Sequence, residues 1–161
     1  MNNGDKIKEN DEPKDIEILT FLPLASSIQL EQVELFLKEN SKNLSILASE
    51  LSRIGGNNVS VITKRIMYRT FSNYIGQFFS WDGAKGKQPF KELLLAQVII
   101  RAVRLNTATA SASEHEIVNA IKGWLLKAKA RHENYLKKNN QDKQKDMEGT
   151  EVEGELEATG D

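Results

Sequence analysis

Apolar residues crowd the stretch from Pro89 to Leu105, PFKELLLAQVIIRAVRL. On a helix turning roughly 100° per residue, Leu93, Leu94, Leu95, Val98, Ile99, Ile100, Val103 and Leu105 cover nearly the whole circumference. A helix apolar all round belongs in a core, so this segment is expected at the centre of the fold, with Pro89 setting its first turn. One polar strip remains: Gln97, Arg101 and Arg104 recur at i, i+4 and i+7. Its two guanidinium groups need acids such as Glu34 or Glu50, or else carbonyls, water or a ligand.

The same period marks the other helices. Ser26 or Ser27 can cap a helix running to about Asn40, whose face carries Leu30, Val33 and Leu37 while Leu35 and Glu39 point elsewhere. Ser41 is the next candidate cap, and Leu44, Leu47, Ala48, Leu51 and Ile54 repeat until Gly55-Gly56 supplies a left-handed stop. From Asn57 or Asn58 to about Ser72, Val59, Ile62, Ile66, Met67 and Phe71 spread widely, so this third helix is expected to be largely buried. Arg65 and Arg69 share one narrow strip of it. Asn73 to Phe79 reads as a short helix or turn broken at Gly76. Ser113 and Glu116 form a capping box that opens a last helix, with Ile117, Ile121, Trp124, Leu125, Ala128 and Tyr135 as its core stripe. Thr107 to Ser113 is a connector of small residues, and Ile16 to Ser27 an extended lead-in that Pro23 keeps from being helical.

These elements predict an all-α fold, a compact bundle of about five helices. The domain organisation expected is a disordered tail over 1–15, a helical domain over 16–138, and an acidic disordered tail over 139–161. Charge sharpens that division more than the overall total of −1 does. Residues 1–16 hold three lysines against five acids (net −2), residues 17–138 hold seventeen Lys and Arg against ten acids (net +7), and residues 139–161 hold two lysines against eight acids (net −6). There is no cysteine, so disulfides, thiolate metal sites and a cysteine nucleophile are excluded. Without a secretory apolar run or a span-length apolar segment, an intracellular protein, nuclear or cytoplasmic, with no membrane association is expected.

The glycine-lysine loop Gly83-Ala84-Lys85-Gly86-Lys87 invites comparison with a phosphate loop. It has two residues between glycines instead of four, Gln88 where Ser or Thr would hold magnesium, and no evident preceding strand. His115 and His132 lie too far apart in sequence to share a local ligand face. No catalytic, cofactor-binding or metal-binding residue is therefore assigned, and neither enzyme activity nor a small-molecule substrate is expected.

The chain carries Gly55-Gly56, then Phe78-Phe79-Ser80-Trp81-Asp82-Gly83, Gly86-Lys87 and Phe90, then Val98 to Arg104, and finally Ile121 to Ala128. In the order and spacing of these motifs, from about Phe21 to Arg131, it resembles the domain-of-unknown-function family 4806. The run W-x-G-x-x-G-K-x-x-F is the most specific part. The resemblance implies a compact helical domain, carries no established activity, and transfers no site residue.

Two functional readings follow from the residues themselves. The first is a protein-interaction or self-association module, motivated by the apolar central helix and by Leu35, Phe36 and Leu126 outside the core stripes. The alternative is a nucleic-acid-associated module with the acidic tail as tethered competitor. The candidate contact surface for it is basic: Arg65 and Arg69, Lys85, Lys87 and Lys91 around the loop, Arg101 and Arg104, and Lys127, Lys129 and Arg131. Trp81, Gly83, Gly86, Phe90 and Trp124 are expected to be structural anchors.

Overall fold

The structure, a computed structural model, describes residues 18–155, with side chains described as far as residue 149. The expected N-terminal tail, residues 1–15, lies outside the described residues. In chain order the helices are α1 (Ser27–Glu39), α2 (Ser41–Ser52), α3 (Val59–Thr70), the short α4 (Asn73–Gly76), α5 (Leu94–Leu105), α6 (Glu114–Leu126) and α7 (Ala128–Glu155). Between α4 and α5 the chain makes two two-residue strands, β1 (Phe79–Ser80) and β2 (Gln88–Pro89), paired parallel, with Phe79 opposite Gln88 and Ser80 opposite Pro89. The fold is all-α, as the periodicity predicts.

Several ends fall where side-chain chemistry places them. Ser26 accepts from the Gln29 amide at α1, Asn58 from Val61 at α3, and Ser113 with Glu116 completes the capping box of α6. Gly55 takes φ +68°, the left-handed stop after α2. At α2 the cap is Asn40, not Ser41: its side chain accepts from the Lys42 amide. The lead-in, expected to be extended throughout, is helical over residues 18–20 and turns at Phe21, because the restriction imposed by Pro23 reaches back only to the residue before it. Leu24 beyond it is extended and bridges α3's end through Leu24 N–H to Thr70 O at 2.8 Å and Ser72 N–H to Leu24 O at 2.9 Å.

The Pro89–Leu105 stretch departs most from expectation. Pro89 lies in β2, Phe90–Glu92 forms a 3₁₀ turn, and α5 begins only at Leu94. Its start has no cap of its own, since Leu93 offers none. Glu34 of α1 supplies it instead: its carboxylate accepts from the Leu94 amide at 2.8 Å and the Leu95 amide at 2.9 Å. Glu34 is therefore not a partner of Arg101 or Arg104, and Glu50 faces Arg53 at 3.6 Å. An anion at a helix start is favoured by the unpaired amides and by the dipole together.

Nor is α5 buried on all sides. Leu95, Ala96, Val98, Ile99, Ala102 and Val103 are buried, but Leu94 and Ile100 are half-buried, and Gln97, Arg101, Arg104 and Leu105 are exposed. The buried face packs mainly on α2, with α3, α1 and α6 around it. Phe36, expected to lie outside the core stripe, belongs to the core; Leu35 stays exposed.

The expected last helix is two. The first ends at Leu126, Lys127 sits at φ −96°, ψ −2°, and α7 sets off in a new direction, which leaves Tyr135 60 % exposed instead of in the core stripe. Helix also continues through the segment from Asn139, where disorder is expected from its polarity. Lys, Gln, Glu and Asn side chains exclude a core without opposing a helix, and from Asn140 to Gly149 every residue is exposed. Among the described residues no helix is long and apolar enough to cross a membrane.

Replacing Glu34 with Ala strands two amides at a half-buried helix start. The expected loss is about 1–3 kcal/mol of unfolding free energy, measured by urea denaturation.

Candidate functional site

The segment between α4 and α5 is organised around Phe90, which is fully buried. Its ring meets Phe71 at 5.2 Å, Phe79 at 6.0 Å and the half-buried Trp81 at 6.3 Å between centroids. The parallel pair β1–β2 closes a loop whose tightness needs glycine: Gly83 has φ +78°, and a Cβ there would stand 3.1 Å from Pro89 Cδ and 3.2 Å from Lys87 O. Gly86 has φ +73°, and Lys85 between them is left-handed too, at φ +56°. A strand therefore does precede the glycine-lysine loop, contrary to the sequence expectation, but only a 3₁₀ turn, Ala84–Gly86, follows within it. A phosphate loop opens a long helix whose first amides face the anion, and this loop has none.

Trp124 anchors the other end. It is 2 % exposed and lies so close to α4 that a Cβ on Gly76 would come within 2.6 Å of its ring. Arg131 covers it: the guanidinium carbon is 4.4 Å from the Trp124 ring centroid and 5.2 Å from that of Tyr68. Nη2 donates to Trp124 O at 2.9 Å and Nε to Asn73 Oδ1 at 2.8 Å. Burial pushes this guanidinium below its ordinary pKa, with Tyr68 opposing the shift; an arginine so placed stays charged at neutral pH.

Most of the other arginines serve the backbone as well. Arg65 Nη1 donates to Gly55 O at 3.3 Å, Arg69 Nη1 to Leu22 O at 2.9 Å, and Arg104 Nε to Ala112 O at 3.2 Å. Lys91 pairs with Asp82 at 3.1 Å and Lys129 with Glu133 at 4.0 Å. Lys85 and Lys127 are exposed. Six of the ten basic residues thus hold a partner within the chain.

Three of the depressions on the described surface bear on function. One, about 390 Å³, runs along the polar strip of α5, where Gln97, Arg101 and Arg104 lie with Leu44, Ile100, Leu105 and Glu114. A second, about 350 Å³, lies beside the loop, and brings Trp81 and Lys87 together with Lys122 and Leu126 of α6. The third, about 420 Å³, is a groove between the lead-in, α3, α4 and α7, lined by Pro23, Phe71, Tyr68, Tyr74, His132 and Tyr135 among others. All three tyrosines of the chain border it, each about half exposed. The rings support one another: Tyr74 stacks edge-on to Phe78 at 5.2 Å and lies 5.4 Å from His132, while Tyr68 meets Trp124 edge-on at 5.6 Å.

The pairing of Lys87 with Lys122, and the gathering of the tyrosines, lie outside what spacing along the chain can show. Tyr68 and Tyr135 are 67 positions apart, and only the break at Lys127 turns α7 towards α4. His115 Nε2 lies 3.1 Å from Asn119 Nδ2, and among the described residues no cluster of His, Asp and Glu is fit to hold a metal.

A family model described as Domain of unknown function (DUF4806) matches residues 18–102. The match contains the lead-in, α1 to α4, most of α5 and the glycine-lysine loop, and ends before α6. No curated protein and no solved structure matches the chain.

Two substitutions test the Trp124 anchor. Gly76→Ala is expected to destabilise by about 1–3 kcal/mol through overpacking, reversing the gain of about 0.5–1 kcal/mol usual for that change in a helix. Arg131→Ala is expected to lose about 1–3 kcal/mol and to shift tryptophan emission to longer wavelength as water reaches the indole; denaturation followed by fluorescence reads both.

Proposed function

The chain belongs to the family described as a domain of unknown function (DUF4806), a membership that assigns no activity, and from its own surface we propose that it is a non-enzymatic protein-interaction module. Its docking site is the groove of Pro23, Tyr68, Tyr74, His132 and Tyr135, and its ligand is an extended, proline-containing apolar peptide of a partner protein. The observation that carries the reading is the convergence of all three tyrosines, half exposed, on one groove from three separate helices. Tyrosine offers a large contact area at low entropic cost, with a hydroxyl that remains hydrated at the rim. Grooves floored by aromatic rings suit the polyproline conformation, which is already extended and loses little entropy on binding. Arg131 and Trp124 hold Tyr68 in place from beneath, so the groove is organised before any ligand arrives. The action proposed is inside the cell, in nucleus or cytoplasm.

A nucleic-acid partner draws on the net +7 of residues 17–138. It is the weaker reading, because Arg65, Arg69, Arg104 and Arg131 already donate to carbonyl or amide oxygens, which restricts their reach towards phosphates.

The test is a random-peptide display screen against the full chain. Enrichment of sequences with proline flanked by apolar residues is expected, with affinity reduced about tenfold or more in a Tyr74→Ala/Tyr135→Ala variant whose unfolding midpoint is unchanged. Peptides that bind the double variant as tightly as the unaltered chain would contradict the assignment.

A further inference from the structure

The depression beside the glycine-lysine loop is a different surface, with a different chemistry. Its apolar part is the half-buried Trp81 and Leu126, which at 77 % is more exposed than any other large apolar side chain described. Leu126 is the last residue of α6, and the turn at Lys127 leaves it facing outward. Its charged part is Lys87 from the loop and Lys122 from α6, neither of which has an acidic partner among the described residues. The one carboxylate in the wall, Asp82, is taken by Lys91 at 3.1 Å. Ser80, also in the wall, has a buried Oγ with no hydrogen-bond partner. Gly123 leaves the floor open, since a Cβ there would meet nothing within 4 Å.

An occupant of this site needs apolar side chains flanked by carboxylates. The chain contains such a segment: residues 148–157, EGTEVEGELE, hold five glutamates, no basic residue, and Val152 and Leu156 between the acids. Its described part, residues 148–155, is the far end of a helix that starts beside the site of its own chain. Helix α7 starts two residues after Leu126 and extends for 28 residues, a length of about 42 Å at about 1.5 Å per residue. Glu148 stands about 30 Å from the helix start on that scale, and Glu155 about 40 Å. The helix thus separates the acidic segment from the lysines that complement it.

We propose that this depression docks the acidic segment 148–157 of a second copy of the chain, so that the protein associates head to tail. Carboxylates of the segment face Lys87 and Lys122, while Val152 or Leu156 covers Leu126 and Trp81. Each copy carries one site and one segment, an arrangement that builds open chains or closes into a ring. The contact is small and charge-rich, hence weak and salt-sensitive.

The experiment is sedimentation or light scattering of the full chain over a range of concentrations. At low ionic strength the average mass is expected to rise with concentration, and at high ionic strength to return to that of one chain. Two variants separate the halves of the contact: Lys87→Glu with Lys122→Glu, and Glu151→Lys with Glu153→Lys. Neither lysine belongs to the buried core, and helical circular dichroism checks that both variants fold. Each alone is expected to associate at least about tenfold more weakly, and an equal mixture of the two to regain association, because an intact segment then meets an intact site. A wild-type chain that keeps the mass of one copy throughout would overturn the proposal. So would undiminished association in either variant, or folded variants that do not recover on mixing. Tyr74→Ala/Tyr135→Ala leaves this association intact, so failure here is distinct from failure of the peptide groove.

Discussion

The start of α5 is fixed by a carboxylate from another helix. Glu34 binds two amides, those of Leu94 and Leu95, some sixty positions away in sequence. The magnitudes divide the labour. Burying Leu95, Val98, Ile99 and Val103 contributes about 1.5–3 kcal/mol each before entropy, against about 1–2 kcal/mol for a helix cap. Burial decides that α5 exists, and Glu34 decides where it begins. Because α5 begins at Leu94 and not at Pro89, the five preceding residues are free to complete β2 and form the 3₁₀ turn that sets Phe90 into the core.

Everything on the functional faces follows from that start and from the break at Lys127. With Phe90 buried, the loop from Trp81 to Lys87 is held against α6, which places Lys87 near Lys122. With α6 ended at Leu126, α7 turns back along α4, brings Arg131 over Trp124, and delivers His132 and Tyr135 to a groove whose other wall is α3. Both surfaces are thus by-products of how two helix ends are satisfied. The hydrogen bonds of Arg65, Arg69, Arg104 and Arg131 belong to the same system, since each ties an irregular or terminal carbonyl or amide oxygen to a helix.

Much of the fold was legible in the sequence because local signals sufficed: the Ser26 and Asn58 caps, the Gly55 stop, the capping box at Ser113, and the apolar faces of α1 to α3 and α6. What was not legible depends on distant partners. The apolar run through Leu93 and Leu94 looks helical from Pro89 by periodicity, and nothing within it shows that Glu34 holds its start. The stripe from Ile117 to Tyr135 keeps helical spacing across Lys127, so the break left no mark in the pattern. Of the candidate site, Trp81, Gly83, Gly86, Phe90 and Trp124 were recognisable from residue type alone. The oxygen partners of Arg65, Arg69, Arg104 and Arg131 were not, since side-chain length lets arginine reach groups that spacing does not reveal, and neither was the tyrosine groove, which joins residues from three helices.

The most direct measurement of the central claim is native-state amide hydrogen exchange at Leu94 and Leu95. First-turn amides of a helix ordinarily lack intrahelical partners and exchange quickly. If Glu34 holds them, both are expected to exchange as slowly as amides in the middle of α5, such as those of Ile99 and Ala102, and Glu34→Gln is expected to speed these two selectively. Fast exchange at Leu94 and Leu95 in the unaltered chain, with no response to Glu34→Gln, would contradict the account.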